Sequence, residues 1–322
     1  MKAIRIEQNG GLEVMRLAEI AAPEPGAHEV LVRHHAIGVN FIDVYHRTGL
    51  YKNALPTGLG LEAAGEVEAI GANVTRFKPG DRIAYASGPI GAYAEANVVN
   101  EAKAVKVPGA VSYEIAAASL LKGMTARFLL RKTFRVERGH FVVIHAAAGG
   151  VGQIATQWAK HLGATVIAVV GSDAKAEIAK ALGADHTIIS GRDDIAKRVK
   201  EITGAGAHVV YDSVGKDTFV ASLDSLRLLG MMVSFGNASG PPEAIAPSAL
   251  QQRGSLFLTR PTLFHYTTTV EQLDETASDL FGVIASGAVK IAAPTRYVLA
   301  DAVQAHADLE GRKTAGSLVL IP

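Results

Sequence analysis

Two patterns of hydrophobic and polar positions divide the chain. From residue 141 to about residue 260, short apolar runs typical of buried parallel strands alternate with stretches of helical period. In the first of these helices, apolar residues recur at i, i+3, i+4, i+7, i+8 and i+11: Val151, Ile154, Ala155, Trp158, Ala159 and Leu162. Gly163 follows at the position where a glycine commonly ends a helix.

This alternation predicts an α/β fold, a doubly wound parallel sheet. We expect strands at 141–145, 165–170, 186–189, 208–211, 231–235 and 255–259, with helices between them near 174–182, 193–202, 217–228 and 247–252. Ligands of such sheets bind outside the carboxyl ends of the strands. Those ends contain Ala146–Val151, Gly171–Lys175, Ser190, Asp212–Gly215 and Phe235–Gly240.

Residues 1–120 follow a different pattern, in which short alternating runs are interrupted by glycine and proline. This is typical of antiparallel sheet, and the predicted strands lie at 30–34, 65–70, 81–86, 92–99 and 104–107. The C-terminal residues predict helices near 270–285 and 301–310 and strands near 297–299 and 317–321. We expect the last strand to return to the N-terminal domain, which makes that domain discontinuous.

The turn after the first parallel strand is typical of a pyrophosphate site. It meets the pattern G-x-G-x-x-G with one substitution, because Ala147 stands at the first glycine. A helix N-terminus offers backbone N–H groups and a dipole that favours negative charge. We therefore expect Ala147, Gly149, Gly150 and Val151 to contact a dinucleotide. The alternative is a βαβ unit whose tight turn binds no nucleotide.

The end of the second parallel strand favours NADPH over NADH. Sites for NAD usually place Asp or Glu there to bind the ribose hydroxyls, whereas this chain has Gly171. Ser172 and Lys175 follow, and a hydroxyl and an ammonium both suit a 2′-phosphate. The alternative for Lys175 is a solvated lysine in the first turn of its helix.

Composition excludes several classes of function. The 322 residues are 48% hydrophobic and 20% charged, as expected of a globular protein with a large core. The net charge of +1 gives no broad attraction to nucleic acid or membrane. The N-terminus alternates like a strand rather than a signal peptide, and no apolar run is long enough to span a bilayer, so we expect a cytoplasmic protein. The chain has no cysteine, which excludes disulfides, a thiolate zinc site and a cysteine nucleophile.

Several stretches together resemble the quinone oxidoreductases of the zeta-crystallin type, within the medium-chain dehydrogenase/reductase superfamily. The stretches are Ala36–Asp43, Arg47–Tyr51, Gly58–Gly65, Lys122–Thr125, His145–Gly152 and Val233–Gly240. The resemblance implies a GroES-like, mostly β catalytic domain (1–124, completed by 264–322) and a Rossmann domain (125–263). It implies one-electron or hydride reduction of a small-molecule quinone by NADPH, and a homodimer joined through the Rossmann edge strand, here Leu256–Thr259.

Zinc-dependent members of that superfamily ligate zinc through a Gly-His-Glu motif and cysteines. Here the motif reads Gly60-Leu61-Glu62, and leucine cannot bind a metal. We therefore expect a zinc-free enzyme. The adjacent pair His34 and His35 points to opposite faces of a strand, so we interpret it as structural.

By resemblance, four side chains surround the nicotinamide and its ribose: Asn40, Tyr51, Thr125 and Asn237. Asparagines that cap loops, and a packed tyrosine, are the alternatives. Lys122 reaches a ribose or phosphate, unless it is a surface lysine. Asp43 and Tyr45 are weaker candidates for proton donation through water, since a buried aspartate is as often structural.

Three further positions complete the predicted cofactor site. Relatives commonly have tyrosine near the 2′-phosphate where this chain has Ser190, so either Arg192 supplies a replacement contact or the preference for NADPH is weakened. Lys313 occupies a position that often approaches the cofactor, and Phe235 lies at a strand end.

Two other functions stay open. The first is an NADPH-dependent enone or alkenal reductase on the same scaffold, since metal-free hydride transfer to an activated acceptor needs mainly positioning and exclusion of water. The second is a crystallin-like structural protein or an RNA-binding protein that retains the nucleotide site. The balanced charge and the lack of a basic and aromatic stripe argue against RNA.

Overall fold

The computed structural model describes residues 1–311, 313–314 and 316–322. The chain forms two compact units. The first unit comprises Met1–Lys122, Thr267–Phe281 and Ile291–Pro322, and the second comprises Gly123–Tyr266 and Gly282–Lys290. The domain boundaries predicted from the sequence, after residues 124 and 263, stay a prediction.

Sixteen strands lie in the part of the chain that the structure describes. In chain order they are β1 (Lys2–Ile6), β2 (Arg16–Glu19), β3 (Glu29–Val39), β4 (Thr57–Gly58), β5 (Glu62–Ile70), β6 (Arg82–Tyr85), β7 (Ala96–Asn100), β8 (Ala104–Lys106), β9 (Phe141–His145), β10 (Thr165–Val170), β11 (His186–Ile189), β12 (Ala207–Asp212), β13 (Leu226–Ser234), β14 (Phe257–Thr259), β15 (Thr295–Val298) and β16 (Leu318–Ile321).

The α-helices of the described residues are α1 (Phe41–Thr48), α2 (Tyr113–Phe128), α3 (Gly150–His161), α4 (Asp173–Ala181), α5 (Ile195–Thr203), α6 (Phe219–Asp224), α7 (Ser248–Gln252), α8 (Val270–Ala285) and α9 (Ala302–Glu310). Short 3-10 turns lie at Leu12–Val14, Glu101–Lys103, Leu263–His265 and Leu299–Asp301, and a π turn follows α2 at Leu129–Thr133. Within these described residues, no helix is both long enough and apolar enough to cross a lipid bilayer.

The first unit is built on a mostly antiparallel sheet of seven strands. Its order is β15-β16-β3-β5-β6-β8, and β7 also pairs with β3. A second sheet of three strands has the order β2-β1-β4. The last strand, β16, pairs antiparallel with β3, with Leu318 opposite Val39. The predicted return of the chain end to the N-terminal sheet is therefore confirmed.

The second unit contains the predicted doubly wound parallel sheet. Its strand order is β11-β10-β9-β12-β13-β14, and all neighbouring strands are parallel. The chain adds strands on one side of β9 first and then, from β12 onward, on the other side. That reversal is the switch point at which such sheets bind dinucleotides. Gly163 ends the helix region of α3 with φ of +88°, as its position predicted.

Several elements differ from the sequence prediction, and three of them are helices. The helix predicted at 217–228 ends at Asp224, because Leu226 already pairs with Ala207 of the neighbouring strand. Helix α2 was not predicted, since its alanine-rich sequence is buried over most of its surface and gives no amphipathic period. Helix α1 was also missed, and its interior holds Asp43 and Arg47, which are polar yet buried.

Candidate functional site

The turn between β9 and α3 is held by small residues. Gly149 is the N-cap of α3, and no side chain of the described residues caps that end of the helix. A β-carbon on Gly152 would lie 2.3 Å from the carbonyl oxygen of Ala146, so only glycine fits there. Ala146 itself adopts φ of +50°, an unusual conformation for alanine. The result is a helix N-terminus that presents backbone N–H groups at the switch point.

The ends of β10 and β11 lie side by side and bring two predicted segments together. The Ser172 hydroxyl accepts a hydrogen bond from the Lys175 backbone N–H at 3.4 Å, which caps α4. The Ser190 hydroxyl donates to the carbonyl of Val170 at 3.2 Å. A β-carbon on Gly171 would meet no atom within 4 Å, so the space beside the β10 end is open.

Arg192 also lies at this strand end, but its guanidinium already contacts the protein. It forms an ion pair with Asp173 at 3.1 Å and a longer one with Asp193 at 3.5 Å. These two carboxylates raise the pKa of Arg192, with the Asp173 hydrogen bond as the largest cause. Asp173 therefore already occupies the guanidinium that was the candidate replacement contact for a phosphate.

A buried network braces the two strand ends at the switch point. The hydroxyls of Thr218 and Ser222 each donate to Asp212 Oδ2 at 2.7 Å. Ser222 also contacts His145 Nε2 at 2.9 Å, and burial lowers the pKa of that histidine. Since β9 ends at His145 and β12 ends at Asp212, the network fixes one strand end against the other.

Asp212 also fixes the loop that carries Asn237. Its Oδ1 accepts the N–H groups of Val214 and Gly215, and its backbone carbonyl accepts the N–H of Phe235 at 2.8 Å. Phe235 and Asn237 are half-buried at the carboxyl end of β13. The structure thus places both predicted cofactor residues at the strand-end edge where α3 begins.

In the first unit, a buried carboxylate organises two predicted residues. Asn40 donates its side-chain amide to Glu62 Oε2 at 2.7 Å, and Lys122 Nζ lies 3.7 Å from the same oxygen. Glu62 Oε1 accepts the backbone N–H of Leu121 at 2.6 Å. Gly38 makes room for this carboxylate, because a β-carbon there would lie 2.3 Å from Glu62 Oε2. Burial raises the pKa of Glu62, while Lys122 lowers it.

These contacts bear on the sequence interpretations of Lys122 and Asn40. Lys122 is 7% exposed, so it is not a surface lysine. Asn40 is the N-cap residue of α1 and forms a capping box with Asp43, while its side-chain amide also binds Glu62. Asn40 therefore both caps its helix and makes a long-range contact.

Asp43 lies one turn into α1 and is fully buried. Its Oδ2 accepts the backbone N–H of Asn40 at 2.8 Å and the hydroxyl of Tyr93 at 2.9 Å. Its Oδ1 has no hydrogen-bond partner among the residues that the structure describes. Burial raises the pKa of Asp43 to about 7, so the carboxyl is about half protonated at neutral pH and mostly protonated below it.

Tyr51 belongs to an aromatic group beyond the end of α1. Its ring meets the rings of Tyr45 and His46 edge to face, with centroids 5.2 and 5.7 Å apart. His46 is fixed in turn by Asn53, whose side-chain oxygen lies 2.7 Å from Nδ1. Tyr51 is half-buried, so this group presents an aromatic edge while the ring is held in place.

The remaining predicted residues are divided between the units. Thr125 is half-buried in α2 and belongs to the second unit, as does Asn237, whereas Asn40 and Tyr51 belong to the first. Lys313 lies near the end of the first unit, and its ammonium is 3.8 Å from Asp308. The expectation that Asn40, Tyr51, Thr125 and Asn237 surround one nicotinamide stays a prediction.

The histidine pair and the metal-site position have clear surroundings. His34 is buried between the carbonyl of Ala94, at 2.7 Å, and the hydroxyl of Tyr85, at 2.9 Å, whereas His35 is exposed and stacks on Tyr113. Leu61 is buried. Across the described ranges, no three His, Cys, Asp or Glu side chains come together as metal ligands.

Sequence reasoning missed the side chains that surround Asp43 and Asn40. Glu62 was considered only as part of the altered zinc motif, and Tyr93, Arg47 and His306 were not singled out. One signal was available: Asp43 and Arg47 are four residues apart on α1, which places two charged residues on one helix face. Their partners lie far away along the chain, and a single sequence does not show such pairs.

Each of the two units contains a segment that matches a known protein family. Residues 26–109 match the alcohol dehydrogenase GroES-like domain, and residues 150–280 match the zinc-binding dehydrogenase family. A quinone oxidoreductase of Pseudomonas aeruginosa is 50% identical over 100% of this chain and 99% of its own length. One from Salmonella typhimurium is 51% identical over 99% of this chain and 100% of its own length.

A solved structure extends the likeness to the fold. The Escherichia coli quinone oxidoreductase complexed with NADPH is 47% identical, covers 100% of both chains and has a TM-score of 0.98. The match to a zinc-binding dehydrogenase model coexists with the absence of cysteine and with Leu61 in the metal motif. The chain therefore belongs to the quinone oxidoreductase family of the medium-chain dehydrogenase/reductase superfamily.

Proposed function

We propose that this protein is an NADPH-dependent quinone reductase that works without a metal. The observation that carries the proposal is the N-terminus of α3, which lies uncapped by any described side chain at the switch point of a six-stranded parallel sheet. A dinucleotide pyrophosphate is the ligand that this construction favours. Family membership and the absence of cysteine support a zinc-free reduction.

The second unit fits NADPH through its strand ends. The N–H groups of Gly150 and Val151 suit the pyrophosphate, whereas the N–H of Gly149 already donates to the carbonyl of Ala146 at 2.8 Å. Gly152 keeps the turn clear of side-chain atoms. Ser172 and Lys175 suit a 2′-phosphate beside the open space at Gly171, with Ser190 at the neighbouring strand end. When bound, NADPH supplies a hydride to the acceptor.

The first unit supplies side chains for positioning and for a proton. Glu62 fixes the amide of Asn40 and the ammonium of Lys122, so each points in one direction. Tyr51 offers a flat apolar edge that suits a quinone ring. Asp43 holds a proton near neutrality, and reduction of a quinone to a hydroquinone consumes one hydride and one proton.

Steady-state turnover tests this proposal. NADPH and NADH are offered in turn with 1,4-benzoquinone, 9,10-phenanthrenequinone and an alkenal, with and without EDTA, and oxidation is followed at the nicotinamide absorbance. We expect quinone-dependent oxidation that prefers NADPH and is unchanged by EDTA. Turnover with the alkenal alone would make the protein an enone reductase, and inhibition by EDTA would contradict metal-free chemistry. Cofactor binding without turnover would favour a crystallin-like or RNA-binding role.

We also propose that two copies of this chain pair through the edge strand β14. The strand lies at the border of the parallel sheet, so one row of its backbone groups faces away from β13. Large apolar side chains are exposed there: Phe257 is 56% exposed, and Leu228 and Leu229 on β13 are 71% and 59% exposed. An antiparallel pairing of two such edges would cover this surface.

Sedimentation equilibrium tests the dimer. We expect the mass of two chains for the wild type and of one chain for Phe257→Arg. Val220→Arg is the control, because Val220 is similarly exposed, at 55%, but lies on helix α6. A monomeric wild type, or a Phe257→Arg variant that stays dimeric, would contradict this interface.

We also propose that the protein is cytoplasmic. Fractionation of cells that express the protein tests this location separately.

A further inference from the structure

A chain of buried polar side chains runs from Asp43 to the surface of the first unit. Tyr93 Oη lies 3.0 Å from His306 Nε2, and His306 Nδ1 lies 3.1 Å from Arg47 Nη1. Arg47 then binds Glu310 through two hydrogen bonds of 2.8 and 2.9 Å. The side chain of Arg47 is 2% exposed, whereas that of Glu310 is 34% exposed. This row of hydrogen-bonded side chains therefore reaches solvent at Glu310.

The donors and acceptors in this chain can be assigned one after another. Arg47 is always protonated and has no acceptor, so His306 Nδ1 must accept and His306 Nε2 carries the hydrogen. Nε2–H therefore donates to Tyr93 Oη, and the hydroxyl hydrogen of Tyr93 is directed to Asp43 Oδ2. Burial and the charge of Arg47 lower the pKa of His306 to about 3, which keeps the ring neutral.

This polarity determines where Asp43 holds its proton. Oδ2 accepts two hydrogen bonds, from the N–H of Asn40 and the O–H of Tyr93, so it has no room for a hydrogen of its own. Oδ1 is buried and has no partner among the described residues, so the proton lies on Oδ1. Since Arg47 does not release a proton, the chain does not conduct protons from Glu310.

We propose that Arg47, His306 and Tyr93 are positioning residues that orient the Asp43 carboxyl and set how tightly its Oδ1 holds a proton. The groups that act on Asp43 come from α1, α2, α9, β5 and the loop between β6 and β7. Tyr93 and the N–H of Asn40 donate to it, Lys122 on α2 attracts its charge, Glu62 on β5 repels it, and Arg47 and His306 act through Tyr93.

The hydrogen bond from Tyr93 and the burial of Asp43 have opposite effects on the pKa of Asp43. Burial favours the neutral carboxyl and is the largest cause of its raised pKa, whereas the hydrogen bond from Tyr93 favours the carboxylate. Removal of the Tyr93 hydroxyl therefore raises the pKa of Asp43 further. A purely structural tie between α1 and α9 would leave that titration unchanged and would alter only stability.

Infrared spectroscopy of the full-length protein follows this proton directly. The carbonyl stretch of a protonated carboxyl is recorded against pH and assigned to Asp43 by its loss in Asp43→Asn. We expect a midpoint at about pH 7 in the wild type. In Tyr93→Phe the midpoint rises by about one pH unit, because one hydrogen bond to the carboxylate is lost. His306→Leu raises it by a smaller amount, since Tyr93 then lacks its donor.

Tyr297→Phe is the matched control. Tyr297 donates to Asp308 Oδ2 at 2.9 Å in the same unit, so the variant removes another tyrosine–carboxylate hydrogen bond without touching Asp43. We expect its Asp43 midpoint to equal that of the wild type. The proposal is overturned if wild-type Asp43 titrates near the ordinary value of about 4. It is also overturned if Tyr93→Phe and His306→Leu both keep the wild-type midpoint.

The use of this proton in turnover rests on the proposed function, but the infrared titration needs neither cofactor nor quinone. A protein that fails to reduce quinones can still show the predicted shift in Tyr93→Phe. An active quinone reductase can equally show no shift. The failure of the one proposal is therefore distinguishable from the failure of the other.

Discussion

The two units build their candidate sites from different materials. The second unit uses backbone N–H groups, glycines and short hydroxyl side chains at the ends of adjacent parallel strands. The first unit uses buried ionisable side chains, with Glu62, Asp43 and Arg47 each almost fully shielded from solvent. Anion binding needs only a shaped backbone, whereas holding a proton near neutrality needs a carboxyl removed from water.

The comparison is tested most severely at Gly152. A valine side chain would drive its β-carbon into the carbonyl oxygen of Ala146, 2.3 Å away, and distort the turn. We expect Gly152→Val to weaken NADPH binding by at least about 100-fold in a fluorescence titration. Gly282→Ala is the control, since a β-carbon there meets no atom within 4 Å. Unchanged affinity in Gly152→Val would exclude this turn from the cofactor site.

The first unit is expected to respond through stability when its buried charge is removed. Arg47→Met leaves His306 and Glu310 without their donor, and we expect a loss of about 2 to 3 kcal/mol in the free energy of unfolding by urea. The exposed pair of Arg198 and Glu201 provides the control, because Arg198→Met should cost less than about 0.5 kcal/mol. Equal losses in the two variants would show that burial gives Arg47 no special weight.

A smaller effect is expected from a single charge in the second unit. Lys175→Ala should raise the KM for NADPH by about tenfold and leave the KM for NADH nearly unchanged, because only NADPH carries the 2′-phosphate. Lys180→Ala, on the same helix and paired with Glu177, is the control and should alter neither value. An equal rise for both cofactors in Lys175→Ala would remove this lysine from the phosphate site.

The same contrast explains how much of the molecule the sequence predicts. The parallel sheet and the turn at 146–152 follow from local patterns of hydrophobicity and glycine. The return of the last strand to the first unit is confirmed, but it is a long-range pairing that no local pattern specifies. The closeness of Ser172–Lys175 to Ser190 can also be predicted, because the ends of neighbouring parallel strands meet at one edge of the sheet.

The contacts of the first unit could not be predicted in this way. Tyr93 meets Asp43 across 50 residues, and Arg47 meets Glu310 across 263 residues. No local period links such positions. Helices α1 and α2 could not be recognised from an amphipathic pattern, because polar groups lie on their buried faces. The predicted end of the helix at 217–228 was wrong for a related reason, since pairing with a distant strand overrode local propensity.

In the proposed reaction, the second unit binds the cofactor and Asp43 in the first unit holds the proton for reduction. The pH dependence of kcat for NADPH oxidation by 1,4-benzoquinone tests it most directly. Burial raises the pKa of Asp43 to about 7, so the protonated form dominates below that pH and is lost above it. We predict that kcat is highest on the acid side and falls as the pH rises through about 7. A kcat that stays constant or increases through neutrality would exclude Asp43 as the source of that proton.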